Sequence, residues 1–246
     1  MILLTVFLNL LYFYPSINLF FFGVVFFVIF YIWILLIVKS WNKILWEESH
    51  NFKRELFFTV TNFCIYLLLT HILFKLYLLW YTNLFFEFWY STILLGVAYI
   101  VGHDIYFYIL HRLLHQKWVL KNIHYVHHQS HISSIWTSYS FHPVEALLYA
   151  GIIVVFFIFP ISFYALLIAI FYNDILTILW HSWKENFSIS YLKKKKIFSY
   201  LATPTYHDLH HSQSKWNYAL YFLYLDKLFW TYDHNHKKLI SKTGDE

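Results

Sequence analysis

The chain has 246 residues, of which 60% are hydrophobic, 24% aromatic and only 13% charged. An ordinary globular domain is about 45–50% apolar and about 25% charged, so this composition excludes a disordered chain, a collagen-type repeat and a disulfide scaffold, and reads as an integral membrane protein. The net charge of +5 resides largely in lysines beside apolar stretches, the bias of cytoplasmic membrane flanks rather than of a nucleic-acid surface, while 16 histidines against 13 acidic residues do not suit a passive anchor.

Residues 1–14 are apolar and end at Pro15. They lack the basic start and small-residue cleavage site of a signal peptide and read as a hairpin arm or a shallow helix. Residues 17–38 carry no charge over 22 positions, enough to cross a hydrocarbon core of about 30 Å. Residues 39–55 form a polar loop with Lys39, Lys43, Lys53 and Arg54. A second span covers 56–81, interrupted by His71 and Lys75, and contains the single cysteine, Cys64, which has no disulfide partner. Thr82 and Asn83 read as a tight turn, and residues 84–101 return across the membrane with Glu87 near their start.

From Gly102 the character changes, with eight histidines between His103 and His142. Two apolar arms follow, 144–159 and 161–180, joined at Pro160; the first, with 16 residues, rises roughly 24 Å as a helix. A basic run at 193–196 and a charged tail at 232–246 close the chain, which has no internal repeat. The fold expected is an all-α polytopic transmembrane bundle of about four spans. If loop 39–54 is cytoplasmic, counting spans brings every histidine cluster to that same, positive side.

His111 and His115 stand four apart, on one face of a helix. His124, His127 and His128 form an i, i+3, i+4 triplet, and His207, His210 and His211 repeat it. Such a triplet offers one face to one ion and a slightly rotated face to a second. Eight imidazoles exceed what one ion can use, so the count favours two metals. Neutral imidazole suits Zn, Cu, Fe and Ni, but a zinc site normally needs only three or four ligands. Iron, with higher coordination and several oxidation states, fits better, and the chemistry implied is oxygen activation.

These blocks resemble the membrane fatty acid hydroxylase/sterol desaturase superfamily of non-haem di-iron enzymes. The family's D-x-x-x-Y-x-x-H-R-x-x-H block is matched by Asp104, Tyr108, His111, Arg112 and His115, and its two H-x-x-H-H blocks by the triplets. Its H-P-x-E step is matched by His142, Pro143 and Glu145, and a histidine after the second hairpin by His181. Downstream, N-Y-G and W-D-x-L-F-G-T read here Asn217-Tyr218-Ala219 and Leu225-Asp226-Lys227-Leu228-Phe229-Trp230-Thr231, with both glycines replaced. Some hydroxylases carry a further histidine where this chain has Thr177.

The resemblance implies nine metal-ligating histidines: His111, His115, His124, His127, His128, His181, His207, His210 and His211. A tenth ligand would be His103, His142 or a water held by Asn173. It implies N-terminal transmembrane helices at 1–101, a catalytic region at 102–231 that includes the hairpin 144–180, and a helical cap on the cytoplasmic end of the bundle. It implies two iron ions, although zinc can occupy such a site in a preparation, with O2 as co-substrate and a lipid that is hydroxylated or desaturated. The region before His103 is almost all apolar spans, so no fused haem segment is expected. Electrons would come from a separate cytochrome b5-like or ferredoxin-type donor. The membrane would be the endoplasmic reticulum in a eukaryote or the inner membrane in a bacterium.

Asp104, Glu145 and Asp208 are candidates to accept the outer N–H of a ligating histidine, against the plainer reading of surface charges. Arg112 would pair with such a carboxylate or face lipid phosphates. The run 193–196 reads as a headgroup-facing stretch, with a docking site for an acidic electron carrier as the sharper alternative. His50, His71, His234 and His236 belong to no cluster and read as ordinary polar residues. Two other classes compete with the oxygenase: a zinc-dependent membrane lipid hydrolase and a non-catalytic membrane scaffold.

Overall fold

A computed structural model of the chain describes residues 51–80, 90–131, 133–134, 136–158, 163–181 and 200–235. The readings made for residues 1–50, the turn at 82–83, the joint at Pro160, the basic run 193–196 and most of the tail lie outside the described residues. Among the described residues there is no strand, only an isolated antiparallel bridge between Leu201 and Phe222. The chain is helical, as its long apolar runs and scarce glycine and proline dictate.

Helix α1 is Phe52–Trp80 and α2 is Tyr90–Leu114. A short segment follows as α3 (Lys117–Val119), a π-helical turn (Leu120–His124) and α4 (Tyr125–His128). After a 3-10 turn at Thr137–Tyr139 come α5 (Pro143–Ile158) and α6 (Phe163–Trp180). Two shorter helices complete the described chain, α7 (Pro204–Gln213) and α8 (Tyr224–Leu228). Helix α1 packs on α5, α2 on α5 and α6, and α7 on α6.

Among the described residues one stretch is long and apolar enough to cross a membrane, Thr92–Leu114, with 23 residues and a mean hydropathy of 1.7. Its side chains at Ile93, Leu94, Val97, Val101, Ile105, Ile109 and Leu113 are exposed. The helix runs unbroken through residues 101–102, where the composition changes, so His111 sits on the same rigid rod as the apolar segment. Gly151 of α5 lets α2 approach closely: a Cβ there would lie 2.6 Å from the Tyr106 hydroxyl, which donates to the Leu148 carbonyl.

Helix α1 begins at Phe52, inside the last residues of the polar loop read from sequence as 39–55. Lys53, Arg54 and Glu55 form its first turn, and Glu55 is buried. Glu55, Thr59 and Asn62 recur at i, i+4 and i+7, one polar stripe on an apolar helix. The Glu55 carboxylate accepts from the hydroxyls of Ser130, Ser134 (2.8 Å) and Thr137 (3.2 Å). Thr59 donates to the Trp136 carbonyl at 3.1 Å, and Asn62 donates to those of Tyr139 and Phe141, each at 2.9 Å. Arg54 donates to Gln129 and Ser130. This stripe satisfies a backbone segment that would otherwise be stranded between helices.

Replacing Glu55 with Ala leaves three buried hydroxyls without their acceptor. The expected cost is about 2–4 kcal/mol, read as a drop in detergent-phase melting temperature, with Glu55→Gln losing less than half as much.

Candidate metal centre

The nine histidines singled out by the sequence all come together, and they divide into two groups whose ligand atoms lie within 4.8 Å of one another. The first contains His111, His115, His124, His128 and His210, and the second His127, His181, His207 and His211. Each triplet serves both. In the first triplet the i and i+4 residues enter the first group and i+3 the second; in the second triplet the assignment is reversed. Helix α2 brings His111 on its last turn and His115 just beyond it, and α6 brings His181 immediately after its last residue. The π-helical turn ends on His124, a wider coil that changes the register of the triplet relative to the helix before it.

The outer ring nitrogens of the first group, and that of His181 in the second, are tied down. Loop 214–218 presents three alternate carbonyls to the first group: Ser214 to Nδ1 of His115 (2.9 Å), Trp216 to Nδ1 of His210 (2.6 Å) and Tyr218 to Nδ1 of His111 (2.9 Å). Ser214 and Asn217 take positive φ, 55° and 64°, which folds the loop tightly beneath the rings; Asn and small polar residues tolerate that region better than β-branched ones. His124 donates Nδ1–H to the Glu145 carboxylate at 2.7 Å, and His181 to the Thr177 carbonyl at 2.7 Å. Carbonyl and carboxylate oxygens only accept, so these five rings carry their proton on Nδ1 and leave a bare lone pair on Nε2.

Those lone pairs converge. His128 Nε2 lies 3.1 Å from Nε2 of both His124 and His210. In the second group Nε2 of His207 is 2.9 Å from that of His181 and 3.1 Å from that of His211, with His127 at 3.4 Å from His181. An Nε2 left bare by its ring's outer hydrogen bond is satisfied at such distances either by the N–H of a ring whose tautomer is not fixed (His127, His128, His207 or His211) or by a cation held between the nitrogens. Around an ion about 2.1 Å from each nitrogen, neighbouring ligands sit about 3.0 Å apart at right angles and about 3.4 Å apart at the tetrahedral angle. The residues fit two nitrogen-bound transition-metal ions.

Protonation would not supply the missing charge. Burial, reinforced by neighbouring imidazoles, pushes His124, His127, His207, His210 and His211 well below the ordinary histidine range. Burial also holds His128 and His181 down at about 4. The rings are therefore neutral near pH 7, the form that binds metals.

The other residues named from sequence fall into different places. Glu145 touches His124, as an acceptor of its outer N–H should. Asp104 does not reach the histidines; it accepts from the Tyr221 backbone N–H at 2.8 Å and anchors the segment that follows loop 214–218. Asn173 accepts from the Tyr221 hydroxyl at 2.8 Å, and the same hydroxyl meets His103 Nδ1 at 2.9 Å, so His103 and Asn173 lie outside both groups. His142 is also outside, its Nδ1 accepting from the Val144 backbone N–H at 3.2 Å. Among the described residues, Arg112 pairs with no carboxylate; it reaches the Tyr108 hydroxyl at 3.5 Å and lies over the Phe229 ring. Asp208, next to His207 in sequence, belongs to neither group, and burial raises its carboxyl to about 6.

Three acids that the sequence reading did not single out have structural duties. Glu55 organises the segment after the first triplet, as described above. Asp174, in the apolar arm of α6, accepts from the Tyr139 hydroxyl at 2.6 Å; a carboxylate inside a predicted span was the available signal. Asp226, fully buried, accepts from the backbone N–H groups of Tyr218 (3.0 Å) and Ala219 (2.7 Å) and from the hydroxyls of Thr231 (2.7 Å) and Tyr206. It thereby fixes the peptide whose carbonyl holds His111. Its place in a tail motif was visible, but nothing local in the sequence says that four donors converge on it. Asp226→Ala should cost about 2–4 kcal/mol in thermal stability and lower metal retention, measured by melting and by elemental analysis of the purified protein.

Comparison with known proteins agrees with this geometry. The family model for fatty acid hydroxylase matches residues 96–231, more than half of the chain. A putative methylsterol monooxygenase of Dictyostelium discoideum is 31% identical over 136 residues, covering 53% of this chain and 47% of its own. A Delta(7)-sterol 5(6)-desaturase of Gibberella zeae is 28% identical over 158 residues, 61% of this chain and 45% of its own. Lathosterol oxidase of Rattus norvegicus is 26% identical over 194 residues, 76% and 62% respectively. The chain thus spans roughly half to three-fifths of the length of these relatives, and no solved structure matches it. With every histidine block of the first group and the second inside the matched segment, the chain belongs to the fatty acid hydroxylase family.

Proposed function

We propose that the protein is a multi-pass membrane oxidoreductase that uses two iron ions and O2 to hydroxylate or desaturate a lipid of sterol, fatty acyl or sphingolipid type. The observation that carries this reading is the pair of all-histidine groups with converging Nε2 lone pairs. The relatives' names point to sterol oxidation as the nearest substrate class. When bound, a pair of redox-active irons supplies O2 activation and hydrogen removal from an unactivated C–H bond.

The protein's own residues do the remaining work. His111, His115, His124, His128 and His210 would hold one ion, and His127, His181, His207 and His211 the other. Loop 214–218, Glu145 and Thr177 orient the rings before any ligand arrives, so binding needs little reorganisation. The Glu145 carboxylate raises the donor strength of His124 through their 2.7 Å contact. The buried rings exclude water from the reacting centre.

The site sits where the apolar face of α2 ends, so a lipid substrate can reach it from the bilayer without crossing water. About four spans, with the histidine cap on the cytoplasmic side, and a separate cytochrome b5-like or ferredoxin-type donor complete the reading.

The test combines metal analysis with comparative lipid mass spectrometry of cells with and without the gene. Two irons per chain and a lipid shifted by about +16 (hydroxylation) or about −2 (desaturation), the nominal mass of one O or two H, are expected. His127→Ala and the milder His127→Gln should abolish the product while the protein keeps its helicity. Stoichiometric zinc with O2-independent lipid cleavage would replace this reading with a hydrolase, and an unchanged lipid profile with no bound metal would leave a scaffold.

A further inference from the structure

The turn after α8 carries an unusual combination of side chains. Leu228, Phe229 and Trp230 are all exposed, Trp230 to 85%. Trp230 also has a φ of 54°, a left-handed backbone that a bulky residue rarely adopts. The fold enforces it: the Thr231 N–H donates to the Asp226 carbonyl at 2.8 Å, and the Thr231 hydroxyl to the Asp226 carboxylate at 2.7 Å. The outward indole is thus a fixed feature of the turn.

The place of the turn is equally specific. Phe229 stacks on Tyr108 with ring centroids 5.7 Å apart, and the Arg112 guanidinium lies 5.8 Å from the Phe229 centroid. Both contacts are made on the last two turns of the 23-residue apolar stretch Thr92–Leu114. A helix of that length rises about 34 Å against a hydrocarbon core of about 30 Å, so its end emerges into the headgroup layer. The exposed apolar face of α2, at Val101, Ile105, Ile109 and Leu113, runs up to this turn. Within α8, the Lys227 ammonium lies 4.2 Å from the Tyr200 ring centroid and 5.7 Å from that of Tyr232. An exposed indole with an apolar body and one N–H, in a turn whose Phe229 meets Arg112 and which follows Lys227 in the chain, matches the boundary between acyl chains and anionic headgroups.

We propose that the turn at residues 228–230 is an interfacial anchor: Trp230 inserts at the headgroup–acyl boundary on the histidine side of the bilayer, with Arg112 and Lys227 facing lipid phosphates. The anchor holds the 214–231 segment, and with it the carbonyls beneath the first histidine group, against the membrane surface. This proposal rests on reading α2 as a membrane span.

The full-length protein and Trp230→Phe are reconstituted into phosphatidylcholine–phosphatidylglycerol vesicles carrying dibrominated acyl chains, bromines at carbons 6–7 or at 11–12. The chain has 11 tryptophans, so the signal of interest is the difference spectrum between the two proteins. That difference is expected to be blue-shifted, quenched at least twofold more by the shallow bromines than by the deep ones, and insensitive to aqueous iodide. A red-shifted difference quenched by iodide places Trp230 in water, and one shielded from both quenchers places it against protein, a second copy included; either overturns the anchor. If no tryptophan is quenched by bromine and alkaline carbonate extracts the whole protein, the membrane reading itself fails. Trp230→Gly, whose backbone suits φ 54°, checks the fold independently: it should keep helicity and metal content but lose at least twofold in partition onto anionic vesicles when the detergent-solubilised protein is diluted into them.

Discussion

The arrangement turns on where the protons of the histidine rings lie. An imidazole has one N–H when neutral, and five of the nine clustered rings spend it on an oxygen that can only accept. The inner nitrogens of these five rings are then bare acceptors, and those of His124, His181 and His210 lie about 3 Å from the inner nitrogen of a neighbouring ring. Burial denies the alternative of adding protons, because each charged ring would be desolvated beside others. Loop 214–218, the Asp226 hub beneath it and the Asp104 contact that follows can be understood as scaffolding for that proton assignment. Their side chains never meet the inner nitrogens, yet they decide which way those nitrogens point.

The sequence made the histidines legible because their spacing is a one-dimensional record of a three-dimensional fact. An i, i+3, i+4 triplet on a helix must split between two directions about 100° apart per residue, and the structure divides both triplets in that way. Glu145 was legible for the same kind of reason, two residues after the histidine and proline of a recognisable step. What the spacing could not show was contact made by main chain. The acceptors for His111, His115 and His210 are carbonyls, which every residue possesses, so no residue type marks Ser214, Trp216 or Tyr218 for this role. Asp104 reads as an acceptor for a histidine N–H because it belongs to the first block, and Asn173 as the holder of a water that could serve as a tenth ligand. Both instead support Tyr221, a segment brought close only by the fold.

Helix α1 teaches the complementary lesson. Its apolar content reads as a span, and its Glu55 reads as the last residue of a polar loop. The fold uses Glu55, Thr59 and Asn62 as one stripe that receives the segment between the first triplet and α5. That segment carries Ser130, Ser134 and Thr137, buried hydroxyls that would each be costly without an acceptor. An apolar helix can therefore contribute its few polar residues to a distant site while the rest of its surface remains apolar. Periodicity within α1 would have revealed the stripe; the identity of its partners, some 75 residues downstream, was a matter of tertiary structure.

The two histidine groups are not equivalent, and the difference follows from their surroundings. In the first group, all five rings have their outer nitrogen met by loop 214–218 or by Glu145: His111, His115 and His210 by carbonyls, His128 by the Ser214 hydroxyl at 3.1 Å and His124 by a carboxyl group. In the second, His181 is held by the Thr177 carbonyl of its own helix, while Nδ1 of His127 and of His211 has no partner among the described residues. Under the proposed loading, the first site is the more rigid, since every outer nitrogen in it has a hydrogen-bond partner. The second depends for its orientation on packing: the His127 ring lies tilted against Phe141, with ring centroids 4.8 Å apart, and His211 lies 4.6 Å from His127 by the same measure. A pair of ions held with unequal stiffness need not share redox behaviour. In an oxygen-using centre, that inequality lets the two metals take different parts in one reaction.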